Sequence, residues 1–390
     1  MERVVKKYEE KIKSNSRRLK VKISTITKIL SNLKNNKAPG HNAVTNEMFK
    51  YRVNTPLTYI VALLFDKMIN EKYCRENMNI GLICTIIKDP TGDPRDINNT
   101  RPITLAEPLA NILETLCLMN LQLNGTLHKY QFGFKTHSGC MNAVYQLNEI
   151  IANAKERNKN AYGLFLDFSK AFDKINRFKM LYSIINKSDA KIWLLIKNYY
   201  SVSFLCVTDS NGNRSKTFKS TIGVKQSGPM SPTGFNNVID ILIWRLDRLR
   251  RTYRIKKISV GTMIYAEDTT VVCKTLEDLQ IVTYAIENFC SEYDIKINVK
   301  KTKWMRFGPK YSANEKTISL LNENVENVNE YTFLGVMITS DWNFIEHLKK
   351  RKNLCAKGLG EINKCHFQDK DFPPNIKMTL YQAIIGSKLK

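Results

Sequence analysis

The spacing of apolar side chains along the chain predicts alternating helices and strands. Residues 2–36 are basic and carry isoleucine and leucine at helical intervals, which predicts one long amphipathic helix that ends at Ala38-Pro39-Gly40. Helical patterns also cover residues 55–71 and residues 108–123, and the apolar run Ile80–Ile87 predicts a strand. No internal repeat or low-complexity tract interrupts this pattern. It therefore favours one α+β body over separate domains joined by linkers.

Two apolar segments further along the chain end on acidic residues. A short apolar run precedes Asp167 and predicts a buried strand that ends there. Later in the chain, apolar residues 262–266 and 269–273 flank Glu267 and Asp268, which is the pattern of a hairpin with an acidic two-residue turn. Taken singly, each feature is common as a helix cap or a solvated turn. Together they put three carboxylates at the ends of strands.

Carboxylates that converge from neighbouring strands repel one another, and hard divalent cations are the usual way to compensate them. A pair of such ions suits phosphoryl transfer, because one ion activates the attacking 3′-hydroxyl while the other stabilises the triphosphate and the leaving pyrophosphate. Asp167, Glu267 and Asp268 are therefore candidate ligands for two metal ions.

The charge of the chain favours a polyanionic partner. Its 390 residues contain 61 Lys and Arg against 36 Asp and Glu, a formal net charge of +25 at pH 7. The basic residues gather in four separate segments, 6–22, 245–257, 296–310 and 349–357, so several parts of the chain can contact a phosphate backbone. The N-terminal residues are also the one candidate for a helix on a membrane surface. Nucleic acid is the favoured partner.

Cysteine usage and the length of the apolar runs bear on the compartment. The nine cysteines are odd in number and scattered, with no Cys-x-x-Cys pair, which favours reduced thiols inside the cell. The longest apolar run, residues 59–65, is too short to span a bilayer. We therefore expect a soluble intracellular protein, with the choice between nucleus and cytoplasm left open.

Several segments resemble, in order and spacing, the polymerase motifs of reverse transcriptases from non-long-terminal-repeat (LINE-type) retrotransposons. Motifs A, B and C correspond to Phe165–Asp173, Gly223–Pro232 and Tyr265–Asp268. The flanking segments agree: Lys37–Gly40 and Arg101–Ile103 resemble motifs of the fingers, Gln131–Lys135 the segment that follows, Asn298–Lys303 motif D and Phe333–Val336 motif E. The resemblance runs from about residue 25 to the C-terminus. Chance agreement of so many ordered segments is negligible.

The resemblance implies an α+β fold of the right-hand polymerase type, with fingers, a palm built on an antiparallel sheet, and a partial thumb. It assigns residues 1–24 to a basic helical extension, 25–160 to the fingers and fingers-palm, 161–340 to the palm with motifs A to E, and 341–390 to the partial thumb. Part of the fingers is expected to come from the segment between motifs A and B. The chain is expected to lack endonuclease and zinc-knuckle regions, either as a decayed copy or as part of a larger product.

The resemblance also implies an activity, that of an RNA-directed DNA polymerase which transfers dNTPs to a primer 3′-hydroxyl with two Mg²⁺ or Mn²⁺ ions. Asp167, Glu267 and Asp268 take the catalytic, metal-ligand positions, and the main-chain carbonyl of Phe168 is expected near a metal. The implied partners are an RNA template, a DNA primer and dNTPs, without a membrane. Protein partners are left open.

Three residues are implied to bind the nucleotide. Phe172 falls where the family has a bulky ring under the sugar, which would collide with a 2′-hydroxyl and so select deoxynucleotides. Its alternative role is that of an ordinary core aromatic. Arg101 would hold the incoming triphosphate through its planar guanidinium, and Lys88 would assist it.

Further roles follow from motifs B, D and E. Gln226 lies in the loop expected to support the template base and the nucleotide. Lys301 is the candidate to donate a proton to the leaving pyrophosphate, and Lys300 is an equal candidate. Either lysine could instead contact a phosphate. Phe333-Leu334-Gly335 is expected to hold the primer terminus.

Three departures from the family pattern bear on activity. Motif C usually reads Tyr-Ala-Asp-Asp, and Glu267 replaces the first Asp with a side chain whose extra methylene displaces the carboxylate. Motif B usually has glycine where this chain has Ser227, which predicts a stiffened or shifted loop. Asn42 stands where the fingers segment usually has Asp. Two hypotheses result: a working reverse transcriptase, and a catalytically lapsed remnant that only binds nucleic acid.

Overall fold

The computed structural model describes residues 1–13, 18–121, 127–185, 187–209, 211–225, 227–308, 317–364 and 373–387. Its α-helices are α1 (Glu2–Lys13), α2 (Ile23–Ser31), α3 (Asn46–Lys50), α4 (Pro56–Glu71), α5 (Pro108–Asn120), α6 (Cys140–Glu156), α7 (Ala171–Lys174), α8 (Arg177–Ser183), α9 (Ala190–Ser201), α10 (Met230–Leu249), α11 (Leu276–Tyr293), α12 (Ile345–Lys364) and α13 (Pro374–Tyr381). Short 3₁₀ turns lie at Glu76–Met78 and Ile97–Asn99, and a π-helical turn lies at Gln382–Gly386.

The strands of the described residues are β1 (Ile80–Ile87), β2 (Thr100–Leu105), β3 (Ala161–Leu166), β4 (Phe204–Thr208), β5 (Phe218–Lys219), β6 (Arg254–Ile255), β7 (Ile258–Ser259), β8 (Thr262–Tyr265), β9 (Asp268–Cys273), β10 (Lys303–Phe307), β11 (Ser319–Leu320), β12 (Glu323–Asn324), β13 (Glu326–Asn327), β14 (Glu330–Phe333) and β15 (Val336–Thr339). Helices and strands alternate along the chain, as the sequence predicts for an α+β protein.

Five strands form the larger sheet, in the order β13-β10-β3-β9-β8. Strand β3 pairs antiparallel with β10 on one side and with β9 on the other, and β9 continues the ladder with β8. The short edge pair β10–β13 is parallel. The sheet predicted for the palm is thus antiparallel through its central strands.

Both faces of this sheet are buried, which explains the uninterrupted apolar run of β3. Leu164 and Leu166 pack in the core that includes α10 and α11, whereas Phe165 packs in the core on the opposite face, with α6 and the β14–β15 hairpin. Strands that are covered on both faces have continuous apolar sequences instead of alternating ones. Asp167 is the first residue after this run, and it keeps partial solvent exposure.

A second sheet has the order β2-β1-β4-β5. Strands β1 and β2 form an antiparallel pair, and β4 joins β1 in parallel. Strands β4 and β5 lie between motifs A and B in the sequence. The segment between these two motifs therefore returns to the sheet of the N-terminal region.

The prediction of one N-terminal helix over residues 2–36 is wrong, because residues 18–22 are not helical. In this stretch, Asp66 and Asn70 on α4 accept hydrogen bonds from the backbone N–H groups of Val21 and Leu19, both at 3.1 Å. A side chain that takes a backbone donor competes with the helical hydrogen bond. The sequence pattern cannot show this, since the acceptors lie far away along the chain.

The apolar side of α1 packs against the protein. Val5 is fully buried, the ring of Tyr8 meets the ring of Trp193 edge-on at 5.2 Å between centroids, and Glu9 forms an ion pair with Lys197 of α9. A helix lying on a membrane needs a free apolar face. The face that the membrane-surface alternative requires is therefore already occupied.

The other predicted elements agree closely with the structure. The strand over Ile80–Ile87 has the predicted bounds, the helix over residues 55–71 is α4, and the helix over residues 108–123 is α5, which ends at Asn120. Cysteines in the described part of the chain are free of disulfides. Across these same ranges, none of the helices combines the length and the apolar character needed to cross a bilayer.

We predict that Trp193→Ala lowers the free energy of unfolding by about 3–5 kcal/mol. Its side chain is fully buried, and its indole N–H donates to the carbonyl of Leu181 at 3.1 Å, so truncation leaves a cavity and an unpaired acceptor beneath α1. Trp244→Ala is the matched control, because that side chain is 50% exposed, and it should cost less than about half as much. Denaturant unfolding measures both losses. Equal losses would contradict this packing.

Candidate active site

The acidic hairpin of motif C turns one residue earlier than the sequence suggests. Tyr265 pairs with Asp268, so the two turn residues are Ala266 and Glu267, and the predicted turn at Glu267 and Asp268 is wrong. Ala266 has a left-handed φ of +55°, a conformation that is strained for a residue with a side chain. Alanine is not a typical turn residue, which is why the turn escaped the sequence pattern.

Two of the predicted carboxylates face each other across adjacent strands. The β3–β9 register pairs Leu166 with Thr269, so the next position brings Asp167 opposite Asp268, on the same face of the sheet. The pKa of Asp268 is raised to about 6, first by partial burial of its carboxyl and then by the negative charges of Glu267 and Asp167. The structure therefore brings these three residues close enough to interact electrostatically.

The main chain of motif A is aligned by the motif D segment. Asn298 N–H donates to Asp167 O, and Ser169 N–H donates to Lys296 O, both at 2.8 Å. These two bonds lie on either side of Phe168, which is opposite Ile297 but makes no backbone hydrogen bond to it. The carbonyl of Phe168 therefore points away from Ile297, towards β9. This is the side on which Asp268 lies. The ring of Phe168 is buried.

The donor atoms at this edge of the sheet suit a hard divalent cation. Three carboxylates and one main-chain carbonyl are the oxygen ligands that Mg²⁺ and Mn²⁺ prefer. In the described ranges no three His, Cys, Asp or Glu side chains converge closely enough to hold one ion as they stand. Burial is the first cause of the raised pKa of Asp268, and repulsion from Glu267 and Asp167 adds to it; a bound cation would offset this repulsion. The chemistry of the donor set thus fits the metals, and the side chains must close on them.

Both candidate proton donors lie on the segment that runs beside Asp167. The buried hydroxyl of Thr302 accepts from Asp167 N–H at 3.4 Å and donates to Asn298 O at 2.8 Å, which fixes the turn carrying Lys300 and Lys301. Both lysine side chains are exposed. The choice between them stays open, as it was from the sequence.

Phe172 belongs to motif A and contacts motif B. Its ring stacks on the buried ring of Phe235 at 4.8 Å between centroids, with 30° between the planes, and meets Phe134 edge-on at 6.5 Å. Its carbonyl accepts from Val224 N–H at 2.9 Å. The ring is half-buried, so it belongs to the core and also borders the site. Both roles raised for it from the sequence are compatible with this position.

The predicted triphosphate residues lie on the other sheet. Arg101 on β2 is opposite Ile86 on β1, and Lys88 N–H donates to Asn99 O at 2.8 Å two residues further along the same pair of strands. Residues two apart on a strand share a face, so Lys88 and Arg101 lie on one face of the β1–β2 hairpin. Gln226 lies outside the described residues.

Gln131 and Gly133 support the motif C turn, a role that the sequence did not reveal. The Gln131 Oε1 atom accepts from Ala266 N–H at 3.2 Å and from Gly133 N–H at 3.0 Å. A Cβ on Gly133 would lie 2.5 Å from the backbone nitrogen of Ala266, so only glycine fits this approach. Gln131 and Gly133 thus hold the strained turn in place. A glycine between two aromatic residues was the available signal.

Residues 87–338 match the family described as reverse transcriptase (RNA-dependent DNA polymerase). The chain belongs to this family. The matched range contains every site residue that the sequence predicted, and it confirms the right-hand polymerase fold expected from the motifs. Reverse transcriptases generally use divalent metal ions and act on a nucleic-acid template and primer with nucleotide substrates, in keeping with the donor set described above.

Relatives of this reverse transcriptase chain come from mobile elements. It is 23% identical over 385 residues to the RNA-directed DNA polymerase from mobile element jockey of Drosophila funebris, covering 95% of this chain and 40% of that protein. It is 22% identical over 381 residues to the probable RNA-directed DNA polymerase from transposon X-element of Drosophila melanogaster, covering 94% and 40%. The chain thus spans about 40% of the length of these relatives. The resemblance to non-long-terminal-repeat reverse transcriptases is confirmed.

Among solved structures, the reverse transcriptase chain is similar to apo telomerase from Candida tropicalis truncated from its C-terminal domain. The TM-score is 0.49 at 14% sequence identity, and the match covers 68% of this chain and 54% of that one.

We predict that Gly133→Ala displaces the motif C turn without unfolding the protein. The new methyl group meets backbone atoms, so the hairpin must shift, at a cost of about 1–3 kcal/mol. Amide hydrogen exchange of residues 262–268 should become faster. Gly139→Ala is the matched control, since a Cβ there meets nothing within 4 Å. If both variants left exchange in the hairpin unchanged, the close approach of Gly133 would be refuted.

We predict that Asp268→Asn stabilises the metal-free protein at pH 7.5 more than at pH 5. The folded-state pKa of about 6 lies above the ordinary value of 3.8, so the folded state binds more protons between these values, and its stability falls as the pH rises through about 6. Asparagine removes this loss, and the melting temperature with chelator should rise by about 1–3 °C at the higher pH. The exposed Asp341→Asn is the control. A gain independent of pH would argue against the carboxylate cluster.

Proposed function

We propose that this chain is the catalytic core of an RNA-directed DNA polymerase that adds dNTPs to the 3′-hydroxyl of a DNA primer on an RNA template. One observation carries the proposal: Asp167 and Asp268 face each other at the ends of paired strands, with Glu267 in the adjoining turn. Family membership and the names of the jockey and X-element relatives support the same activity. The net charge of +25 suits a nucleic-acid duplex.

Two Mg²⁺ or Mn²⁺ ions would be held by the carboxylates of Asp167, Glu267 and Asp268 and by the carbonyl of Phe168. When bound, such ions lower the pKa of the primer hydroxyl and neutralise charge on the phosphates. Glu267 and Asp268 are both exposed to solvent, whereas Asp167 is only partly exposed. The turn is short and braced by Gln131, so the longer side chain of Glu267 must fold back to reach an ion. This favours a slow enzyme over a fast one.

Two groups act on the nucleotide near the carboxylates. Phe172 would lie under the sugar, and its stack on Phe235 restricts the ring so that a 2′-hydroxyl meets a fixed obstacle. Lys301, or its neighbour Lys300, would donate a proton to the leaving pyrophosphate. The hydrogen bonds of the Asn298–Thr302 turn to Asp167 support this role, because they keep that turn beside the carboxylates.

The triphosphate would be held from the second sheet. Arg101 and Lys88 lie on one face of the β1–β2 hairpin, and two cations on a common face suit a chain of phosphates. Gln226 would support the template base and the nucleotide. Its neighbours along the chain contact the same sheet, which supports a common nucleotide site between motif B and the hairpin.

The β14–β15 hairpin of motif E would hold the primer terminus. A cavity of about 200 Å³ separates Asp268 from the hairpin residues 331–335. The ring of Tyr331 stacks on Phe165 at 4.4 Å between centroids, and Phe333 is 6.0 Å from the same ring. These contacts fix the hairpin against the sheet that carries the carboxylates, as a primer grip requires.

The proposed subdomains follow the two sheets. Residues 25–160 contribute β1 and β2 to the fingers, 161–340 contain the palm sheet, and 341–390 begin the thumb with α12 and α13. Two features blur these limits. Helix α6 packs on the palm sheet although it precedes residue 161, and β4–β5 pair in the fingers sheet although they follow it. Residues 1–24 contain α1, which packs on α8 and α9.

Primer extension on an RNA template with dNTPs and Mg²⁺ or Mn²⁺ tests this function. We expect weak extension by the chain as it stands, loss of about a thousandfold or more in Asp167→Ala, and faster extension by Glu267→Asp, whose carboxylate returns to the family position. Glu277→Asp, an exposed acidic residue in α11, is the control and should change nothing.

The possible outcomes separate the hypotheses. Extension that survives Asp167→Ala would rule out the proposed metal site. Extension only by Glu267→Asp would show that the chain is a lapsed polymerase, inactive because the side chain of Glu267 is one methylene longer than that of aspartate. Silence in every form, together with salt-sensitive binding of primer-template, would leave nucleic-acid binding as the function.

A further inference from the structure

The loop of motif B is tied to the fingers sheet on both sides of Gln226. This loop comprises residues 220–229, of which Gln226 alone lies outside the described part. Its ties are made by Lys225 and Ser227, the two residues that flank the proposed nucleotide contact. The resemblance to the family assigns a role to neither residue, and Ser227 stands where the family usually has glycine.

The side chain of Lys225 extends to the start of β1. Its side chain is almost completely buried, and its ammonium donates to the side-chain oxygen and the carbonyl oxygen of Asn79, the residue just before β1. Asn79 in turn donates to the carbonyl of Tyr199 at 2.5 Å and accepts from Phe204 N–H at 3.1 Å. A buried cation therefore joins the motif B loop to β1 and β4 at their common end.

Gly81 on β1 lies beside this lysine and in close contact with Thr104 on β2. A Cβ on Gly81 would lie 3.7 Å from the Cε atom of Lys225 and 2.5 Å from the side chain of Thr104 on β2. The lysine stem thus lies along β1, next to the strand that carries Arg101. A larger residue at position 81 would push this arrangement apart.

Ser227 makes the second tie. Its hydroxyl donates to the main-chain carbonyl of Thr104, three residues along β2 from Arg101. The serine keeps solvent exposure, so this bond contributes less than a buried one. A glycine at this position could not make it. The departure from the family pattern therefore adds a contact to the strand that carries the predicted triphosphate ligand.

The remaining ties of the loop lead to helices α5 and α8. Glu114 of α5 accepts from Met230 N–H at 2.9 Å and from the hydroxyl of Tyr199 at 2.5 Å. Arg177 of α8 donates to the carbonyl of Gly223 at 2.8 Å and to the carbonyl of Ser220. These bonds hold both ends of the loop on α5 and α8. Lys225 and Ser227 hold its centre on the fingers sheet.

We propose that Lys225 and Ser227 are positioning residues that lock the motif B loop to the β1–β2 hairpin, so that the loop and the proposed triphosphate ligands Arg101 and Lys88 hold one nucleotide as a single rigid unit. The inference rests on the proposed function for its substrate, a dNTP. The coupling between loop and hairpin is a property of the protein itself. It can be measured without catalysis.

The charge of Lys225 gives the coupling a pH dependence. Burial lowers the pKa of this lysine to about 8, and the negative charge of Glu114 opposes that shift. The other groups that face the lysine are Cys74, Arg177 and Glu107, and its Nζ atom lies 5.4 Å from the centroid of the Tyr199 ring. Above pH 8 the amine loses its charge and its attraction for Glu114. The ordinary pKa of lysine is 10.5, so between pH 8 and pH 10.5 the unfolded chain binds more protons than the folded chain. The contribution of this group to the free energy of unfolding therefore increases as the pH rises through this range. Weaker nucleotide binding at high pH would therefore not come from unfolding at this residue.

The first test compares Ser227→Ala with Thr221→Ala, a nearby exposed hydroxyl of the same loop. Loss of the tie should speed amide hydrogen exchange of β2 residues 100–105 and raise the KM for dNTP roughly threefold to tenfold, with kcat changed less than twofold. The control should leave both unchanged. Normal exchange and normal KM in Ser227→Ala would overturn the proposal.

The second test uses the lysine. Lys225→Met should raise the KM for dNTP by about tenfold or more, and Lys225→Arg, which keeps its charge at every pH used, should recover part of the loss. In the unaltered chain the KM should rise between pH 7 and pH 9, and in Lys225→Arg it should stay flat. A rise of equal size in both would refute the role of the lysine charge. If no variant extends a primer, the proposed function fails, and the hydrogen exchange of Ser227→Ala alone decides the coupling.

Discussion

The antiparallel pairing of β3 with β9 is the constraint on which the candidate site depends. It brings Asp167 opposite Asp268 at the position that follows the last pair of the ladder, Leu166 with Thr269. A slip of one residue would turn every side chain of one strand to the opposite face and separate the two carboxylates. Burial of both faces prevents this slip, because Leu164 and Phe165 fill different cores. The packing of the palm thus fixes the geometry of its chemistry.

Backbone contacts from distant segments then support the strand ends. Gln131 accepts from the strained Ala266, and Asn298 donates to the carbonyl of Asp167. Motif B is anchored differently, through the buried charges of Glu114 and Lys225. A buried charge is costly unless it is hydrogen-bonded; Glu114 accepts hydrogen bonds from Tyr199 and Met230, and Lys225 donates to Asn79. The site is therefore assembled from segments that are far apart in the sequence but share the edges of two sheets.

The sequence revealed features that depend on local pattern and missed those that depend on tertiary contacts. The strand Ile80–Ile87 and the strand before Asp167 were predictable because each is an apolar run bounded by polar residues. The turn at Ala266 was not, because its left-handed conformation is imposed by Gln131 and the paired strands. The interruption between α1 and α2 depends on acceptors in α4, and Lys225 has the appearance of a surface residue until its partners are known. The order of the motifs predicted the family, and single residues within them were assigned by resemblance.

The most direct test of the central claim is the number of Mn²⁺ ions bound in a complex with primer-template and dNTP, with a primer that lacks its 3′-hydroxyl so that no reaction occurs. Electron paramagnetic resonance counts these ions. If Asp167, Glu267 and Asp268 form the metal site, the complex binds two Mn²⁺ per chain, and Asp167→Asn or Asp268→Asn abolishes binding of at least one. Unchanged Mn²⁺ binding in both variants would contradict the account.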